Sequence, residues 1–77
     1  MKLLPEHCKG ARGMLSISQG ELAKAAGVAL ATIHLFEKGD SVPTEDTLLR
    51  IQTALESRGI EFLNSGNPGV RLRRTAD

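Results

Sequence analysis

Residues 18–39, SQGELAKAAGVALATIHLFEKG, decide the fold of this 77-residue chain. Ser18, followed three positions later by Glu21, forms a capping-box pattern in which each side chain satisfies a free backbone N–H. Apolar residues then recur at helical spacing up to Gly27, a residue suited to the left-handed backbone that ends a helix. After two more residues the helical spacing resumes, and it ends at Gly39. The stretch therefore predicts two short helices joined by a tight turn.

Apolar spacing predicts one more helix on each side of this pair. Pro5 opens a helix that runs to about Met14, because its fixed φ suits a helical entry position. A loop containing Pro43 leads into an amphipathic helix that begins at Glu45 and closes near Gly59. The core must be mainly aliphatic, since the chain has no Trp or Tyr and only two Phe. The residues assigned to this core are Cys8, Leu22, Ile33, Phe36, Leu48, Ile51 and Leu55.

The last part of the chain changes character. A short β-like run at Ile60 and Phe62 is followed by a segment dense in turn formers and then by Val70-Arg71-Leu72-Arg73. This pattern predicts a hairpin, which needs the helices or a second subunit because two strands alone are marginally stable. We therefore expect an all-α helix-turn-helix domain of four to five helices at 1–59. A β-hairpin with a basic tail follows at 60–77 and is a candidate dimerisation element.

Composition and charge limit the classes of function. A chain of this length buries roughly 60–65% of its unfolded surface, so a deep substrate pocket is not expected. A lone cysteine allows no intrachain disulfide, and no apolar run approaches the ~18 residues of a membrane span. These features favour a cytoplasmic protein. The net charge of +1 divides into +2 over residues 1–38, −3 over 39–61 and +2 over 62–77, so an anion-binding face is expected in the first or last of these.

The sequence offers no pattern typical of an enzyme or a metalloprotein. His7 and Cys8 are neighbours on a predicted helix, and no set of further ligands with metal-site spacing accompanies them. No nucleophile, base and orienting group are spaced as a catalytic set. We therefore expect no catalytic residue, no bound metal and no cofactor.

Residues 18–28 and 32–39 resemble the Cro/CI-type (XRE) helix-turn-helix family, and matches around Pro43 extend the similarity over roughly residues 6–60. The resemblance implies a cytoplasmic transcriptional regulator, such as a small repressor, whose third helix lies in the major groove of double-stranded DNA. It implies a homodimer on two half-sites and a buried structural ion pair between Arg12 and Glu37. The residues that it places at the DNA are Ser18, Gln19, Leu30, Ala31, Thr32, His34, Leu35 and Lys38.

The third helix departs from the family pattern, which favours polar residues that read donors and acceptors on the bases. Leu30, Ala31 and Leu35 stand at these positions, and Ala29 replaces the usual N-cap hydroxyl. The loop that follows includes Asp40, whose charge opposes phosphate binding. Two functions therefore remain open. The protein binds DNA with modest direct readout aided by DNA shape, or the apolar face binds a protein, as in an anti-activator or an antitoxin-like module.

Several of these positions also have structural explanations. Without a phosphate contact, Ser18 serves only as an N-cap, and Gln19 is only an exposed residue of the first helical turn. The arginines of the tail have three alternative interpretations. They contact the DNA backbone, or they are solvated charges on an edge strand, or they belong to a hairpin that pairs with a second copy of the chain. These arginines are Arg71, Arg73 and Arg74. The outer face of the fourth helix, near Leu49, is the other candidate for a dimer contact.

Overall fold

The computed structural model describes residues 2–63 and 69–73. These residues form four helices and a two-stranded antiparallel sheet, which confirms the expected helical fold with a C-terminal hairpin. The turn-rich segment 64–68 and Arg74 lie outside the described residues. The elements are α1 (Pro5–Leu15), α2 (Gln19–Ala26), α3 (Leu30–Lys38), α4 (Glu45–Glu56), β1 (Ile60–Leu63) and β2 (Gly69–Leu72).

Local hydrogen bonds set the ends of α2 and α3 where the sequence predicts them. The Ser18 hydroxyl accepts the Glu21 backbone N–H at 3.0 Å, and the Glu21 carboxylate accepts the Ser18 N–H at 2.9 Å. Gly27 and Gly39 end the two helices with φ of 70° and 80°. Ala29 precedes α3 and provides no side-chain cap. The first backbone N–H groups of α3 therefore lack the usual side-chain acceptor.

The fourth helix ends close to Gly59, the glycine expected to close it. Its last residue is Glu56, and the Ser57 hydroxyl donates to the Ala54 carbonyl at 2.8 Å. Gly59 then adopts a φ of 99°, and a Cβ at this position would lie 3.1 Å from the Arg73 carbonyl oxygen. The chain therefore needs a glycine where it turns from α4 into β1.

The core lies between the four helices and one side of the hairpin. All seven residues that the sequence assigns to it are buried. Leu3, which precedes α1, and Ile60, at the start of β1, are buried as well, although helical periodicity does not identify them. The buried apolar residues are Leu3, Cys8, Ala11, Leu22, Ala23, Ala26, Ile33, Phe36, Leu48, Ile51, Ala54, Leu55 and Ile60.

The hairpin packs against α1. Its strands pair from Ile60 opposite Leu72 to Leu63 opposite Gly69. A Cβ on Gly10 of α1 would lie only 3.3 Å from a methyl group of Val70, so the small residue permits the close approach of β2. Contact with the helix provides the support that two isolated strands lack.

His7 connects the start of α1 to the hairpin and is only 4% exposed. Its Nδ1 accepts the Leu4 backbone N–H at 2.9 Å, so the neutral ring carries its proton on Nε2. Its ring meets Phe62 edge-on, with centroids 5.7 Å apart. Burial lowers the pKa of His7, and the charge of Glu6 opposes that shift. In the sequence, His7 drew attention only as a metal-ligand candidate, so this structural role was missed.

We expect the free energy of unfolding to decrease as the pH falls below about 6.5, the pKa of an unperturbed histidine. Because the folded pKa of His7 is lowered, the unfolded chain takes up the proton first and gains stability relative to the folded one. His7→Gln keeps an acceptor for the Leu4 N–H without titrating, so its stability should vary less between pH 7 and 5. Urea unfolding at several pH values measures this. An equally steep dependence in His7→Gln contradicts the prediction.

Candidate nucleic-acid interface

One side of α3 is anchored in the core and the other is exposed. Ile33, Phe36 and Glu37 are buried, whereas Thr32 is half-buried. Because each helical residue advances by about 100°, the exposed positions span an arc of about 140°. The exposed residues are Leu30, Ala31, His34, Leu35 and Lys38. Five of the six α3 residues that the resemblance places at the DNA therefore share one outward face, which we call the α3 face, and Thr32 lies outside it.

The α3 face is largely apolar. Leu30 is 54% exposed and Leu35 is 39% exposed, and they lie at the two edges of the arc. Ala31 lies between them and adds a third side chain without a hydrogen-bonding group. Exposed apolar side chains that share one helix face in this way often belong to a binding site.

Glu37 anchors α3 to the rest of the domain through a buried hydrogen-bond network. Its side chain is 3% exposed, and both oxygens accept from Arg12, whose Nε and Nη2 each lie at 2.7 Å. The Cys8 thiol donates to Oε2 at 3.1 Å, and the Gln19 amide donates to Oε1 at 3.0 Å. Arg12 also donates to the Ile17 carbonyl at 3.1 Å. The network thus joins α1, α2 and α3 at one carboxylate.

The electrostatics of this network keep Glu37 ionised. Burial would raise the pKa of the Glu37 carboxyl, but the hydrogen bonds from Arg12, Gln19 and Cys8, with the Arg12 charge, lower it to about 2. Burial and the adjacent carboxylate raise the pKa of the Cys8 thiol, which therefore stays protonated and donates. An ionised, fully hydrogen-bonded carboxylate holds α3 in one orientation.

Gln19, the first residue of α2, links this network to the surface. Its Nε2 donates to Glu37, and its Oε1 lies 3.4 Å from Nδ1 of His34. These contacts orient the amide and leave its second N–H free of them. For Gln19 the sequence left phosphate binding and simple exposure open. Its half-buried position between Glu37 and His34 was not foreseen, because those residues lie 18 and 15 positions away.

The other basic candidates already contact acidic groups. Lys38 Nζ lies 3.3 Å from the Asp40 carboxylate, and both side chains are mostly exposed. Such a pair contributes little stability, so a phosphate can displace Asp40 readily. Arg71 pairs with Glu61 across the hairpin, and Arg73 lies 4.0 Å from the same carboxylate. The structure therefore gives these two arginines an acidic partner on their own hairpin.

Two further properties concern only residues 2–63 and 69–73. Within them, no three His, Cys, Asp or Glu side chains gather closely enough to hold a metal ion. No helix in this part of the chain is long and apolar enough to cross a membrane.

Comparison with known families identifies the fold. Curated proteins include no match to the chain. The helix-turn-helix family model matches residues 9–63, which run from within α1 to the end of β1 and make up 55 of the 77 residues. This family consists of DNA-binding regulators. The family expected from the sequence is thereby confirmed, and the chain belongs to the Cro/CI-type (XRE) helix-turn-helix family.

Proposed function

We propose that this protein is a sequence-specific transcriptional regulator of the cytoplasm, a small repressor that binds its own upstream DNA as a homodimer. In this proposal α3 lies in the major groove, and Ser18 and Gln19 meet a phosphate beside it. The observation that carries the proposal is the α3 face, whose five exposed residues share one side of a helix anchored by Glu37. The Cro/CI-type family membership supplies the partner, double-stranded DNA.

The charges on α3 itself support this partner. The exposed residues of α3 include Lys38 and no carboxylate, because Glu37 is buried against Arg12. The beginnings of α2 and α3 contribute the partial positive charge of helix N-termini, and α3 has no side-chain cap. A groove walled by phosphates suits such a surface.

The proposal includes a twofold dimer, because helix-turn-helix proteins of this size read two half-sites about one helical turn apart. Two surfaces support such a contact. One is the hairpin, each of whose strands has a single neighbour among the described residues. The other is the outer face of α4, where Leu49 is exposed near the exposed Val42. The spacing of the half-sites tests the dimer directly.

A second candidate function follows from the exposed leucines. Leu30 and Leu35 also suit contact with an apolar surface of a partner protein, as in an anti-activator or an antitoxin. Such a module would retain the helix-turn-helix fold and use the α3 face for protein binding. It would not depend on the phosphate contacts of Gln19 and Lys38.

A gel-shift titration of the purified protein with its own upstream DNA tests the proposed function. Competitor DNA is included, and the salt concentration is set at ~50 and ~200 mM. We expect a discrete, competitor-resistant complex whose affinity decreases by about 100-fold over this range if four phosphates are neutralised. Binding that competitor DNA abolishes contradicts the autoregulatory proposal and favours the protein partner.

A further inference from the structure

The α3 face restricts which features of a base this helix can read. Leu30, Ala31 and Leu35 neither donate nor accept hydrogen bonds, and all three are exposed. The imidazole of His34 lies between them, with Nδ1 directed to the Gln19 amide at 3.4 Å. Most of the surface that would meet base edges is therefore alkyl.

Alkyl side chains distinguish bases through one group. In the major groove, guanine, adenine and cytosine present hydrogen-bond donors or acceptors, whereas thymine adds a C5 methyl group. A leucine placed against a polar edge removes water without replacing the hydrogen bond, which opposes binding. The same leucine placed against a methyl group removes apolar surface on both partners from water.

Resting on the function proposed above, we propose that α3 selects thymine by contact of its C5 methyl group with Leu30 and Leu35. The operator then contains thymine where these side chains meet the groove. Each methyl group buried in this way raises affinity about fourfold, and the two half-sites of a dimer raise it about sixteenfold together. The selection depends on the methyl group itself. It therefore disfavours uracil and favours 5-methylcytosine over cytosine.

The experiment isolates the methyl group in the full-length protein. A high-affinity site is first selected from a random duplex library, and each thymidine in it is then replaced by deoxyuridine, which keeps the base pairing. We expect about a fourfold loss of affinity at one or more positions in each half-site. Where cytosine is placed at such a position, methylation at C5 should recover about fourfold.

Matched variants assign the effect to the α3 face. Leu30→Ala and Leu35→Ala shorten exposed side chains, so both should fold normally. Each should bring the ratio of thymine to uracil affinity close to one at the position that its leucine contacts. Met14→Ala, at a 44%-exposed apolar residue of α1, should leave that ratio unchanged.

The outcomes separate this inference from the proposed function. Specific binding with equal affinity for thymine and uracil at every position overturns the inference and leaves the proposed function standing. A ratio that survives in both leucine variants also overturns it, because another group then reads the methyl. Failure to select any preferred sequence overturns the proposed function, and the inference with it.

Discussion

Replacing Glu37 with alanine should lower the free energy of unfolding by about 3–5 kcal/mol. The change removes the acceptor of the Arg12 guanidinium, the Gln19 amide and the Cys8 thiol from a site where the carboxylate is 3% exposed. A buried charge without a partner is strongly destabilising. A chain of 77 residues has a free energy of unfolding of roughly 4–12 kcal/mol. The expected loss is therefore a large part of the total stability.

Urea unfolding followed by circular dichroism at neutral pH measures this loss. Asp40→Ala is the matched control, because it removes one carboxylate from the exposed pair with Lys38, and its loss should stay below about 1 kcal/mol. Arg12→Met combined with Glu37→Leu should recover much of the stability, since apolar residues of similar volume can replace a buried pair. Equal losses in Glu37→Ala and Asp40→Ala would show that the network does not hold α3.

The pH dependence of the same comparison provides a second check. The folded pKa of Glu37 is lowered to about 2, so its stabilisation is complete above the unfolded value of 4.5 and is lost as the pH falls toward 2. The difference in stability between the wild type and Glu37→Ala should therefore shrink over that range. A difference that is independent of pH would assign the loss to the cavity rather than to the charge.

Leu35→Glu should lower the affinity for specific DNA by about 100-fold or more at moderate salt. Its carboxylate would enter a groove lined by phosphates, where like charges repel, and it would lose water without gaining a partner. Leu35 is 39% exposed, so the fold should be retained. Gel-shift titration measures the affinity, and circular dichroism verifies the folding.

Leu63→Glu is a closely matched control for this prediction. The residue type and the change in charge are the same, and Leu63 is 38% exposed on β1 instead of α3. Its DNA affinity should remain near that of the wild type once size-exclusion chromatography shows the same oligomeric state. A similar loss in both variants would contradict a specific role for the α3 face.

The Gln19→Ala/Lys38→Ala double variant separates the two candidate functions. If the target is DNA, it should weaken binding to all sequences and reduce the slope of affinity against salt by about one, because Lys38 is the charged residue that it removes. If the target is a protein, Leu35→Glu should abolish capture while the double variant retains it. Full DNA binding by the double variant would contradict the phosphate contacts assigned to Gln19 and Lys38.

The helical elements and the family could be predicted from the sequence because their signals are local. The Ser18–Glu21 capping box spans three residues, and the glycines that end α2 and α3 act on their own backbone. Apolar periodicity likewise identifies which face of a helix is buried. The start of α3 without a side-chain cap was also evident, since Ala29 has no hydroxyl.

The path that follows α4 was less predictable. The apolar spacing of the helix ends at Leu55, and the helix itself ends at Glu56. After the helix ends, the chain turns so that Gly59 lies beside the Arg73 carbonyl. That path depends on where the hairpin docks, which no pattern within α4 encodes.

The contacts of the candidate site could be predicted only in part. The Arg12–Glu37 pair was inferred from the family resemblance, but the partners that complete it were not. Cys8 lies 29 positions from Glu37, and Gln19 lies 18 positions away. Apolar periodicity predicts the helix face on which each of them lies, but it does not predict which residue of another helix it contacts.

Sequence alone thus determined the order of the helices, their main boundaries, the family and the apolar character of the α3 face. These properties depend on residues within a turn or two of one another, whose hydrogen bonds and spacing are readable in the chain. Tertiary packing decided that Gln19 is oriented by Glu37, that His7 is buried against Phe62, and that β2 lies on α1. Each of these contacts joins segments far apart in the chain, so it forms only when several faces pack together at once.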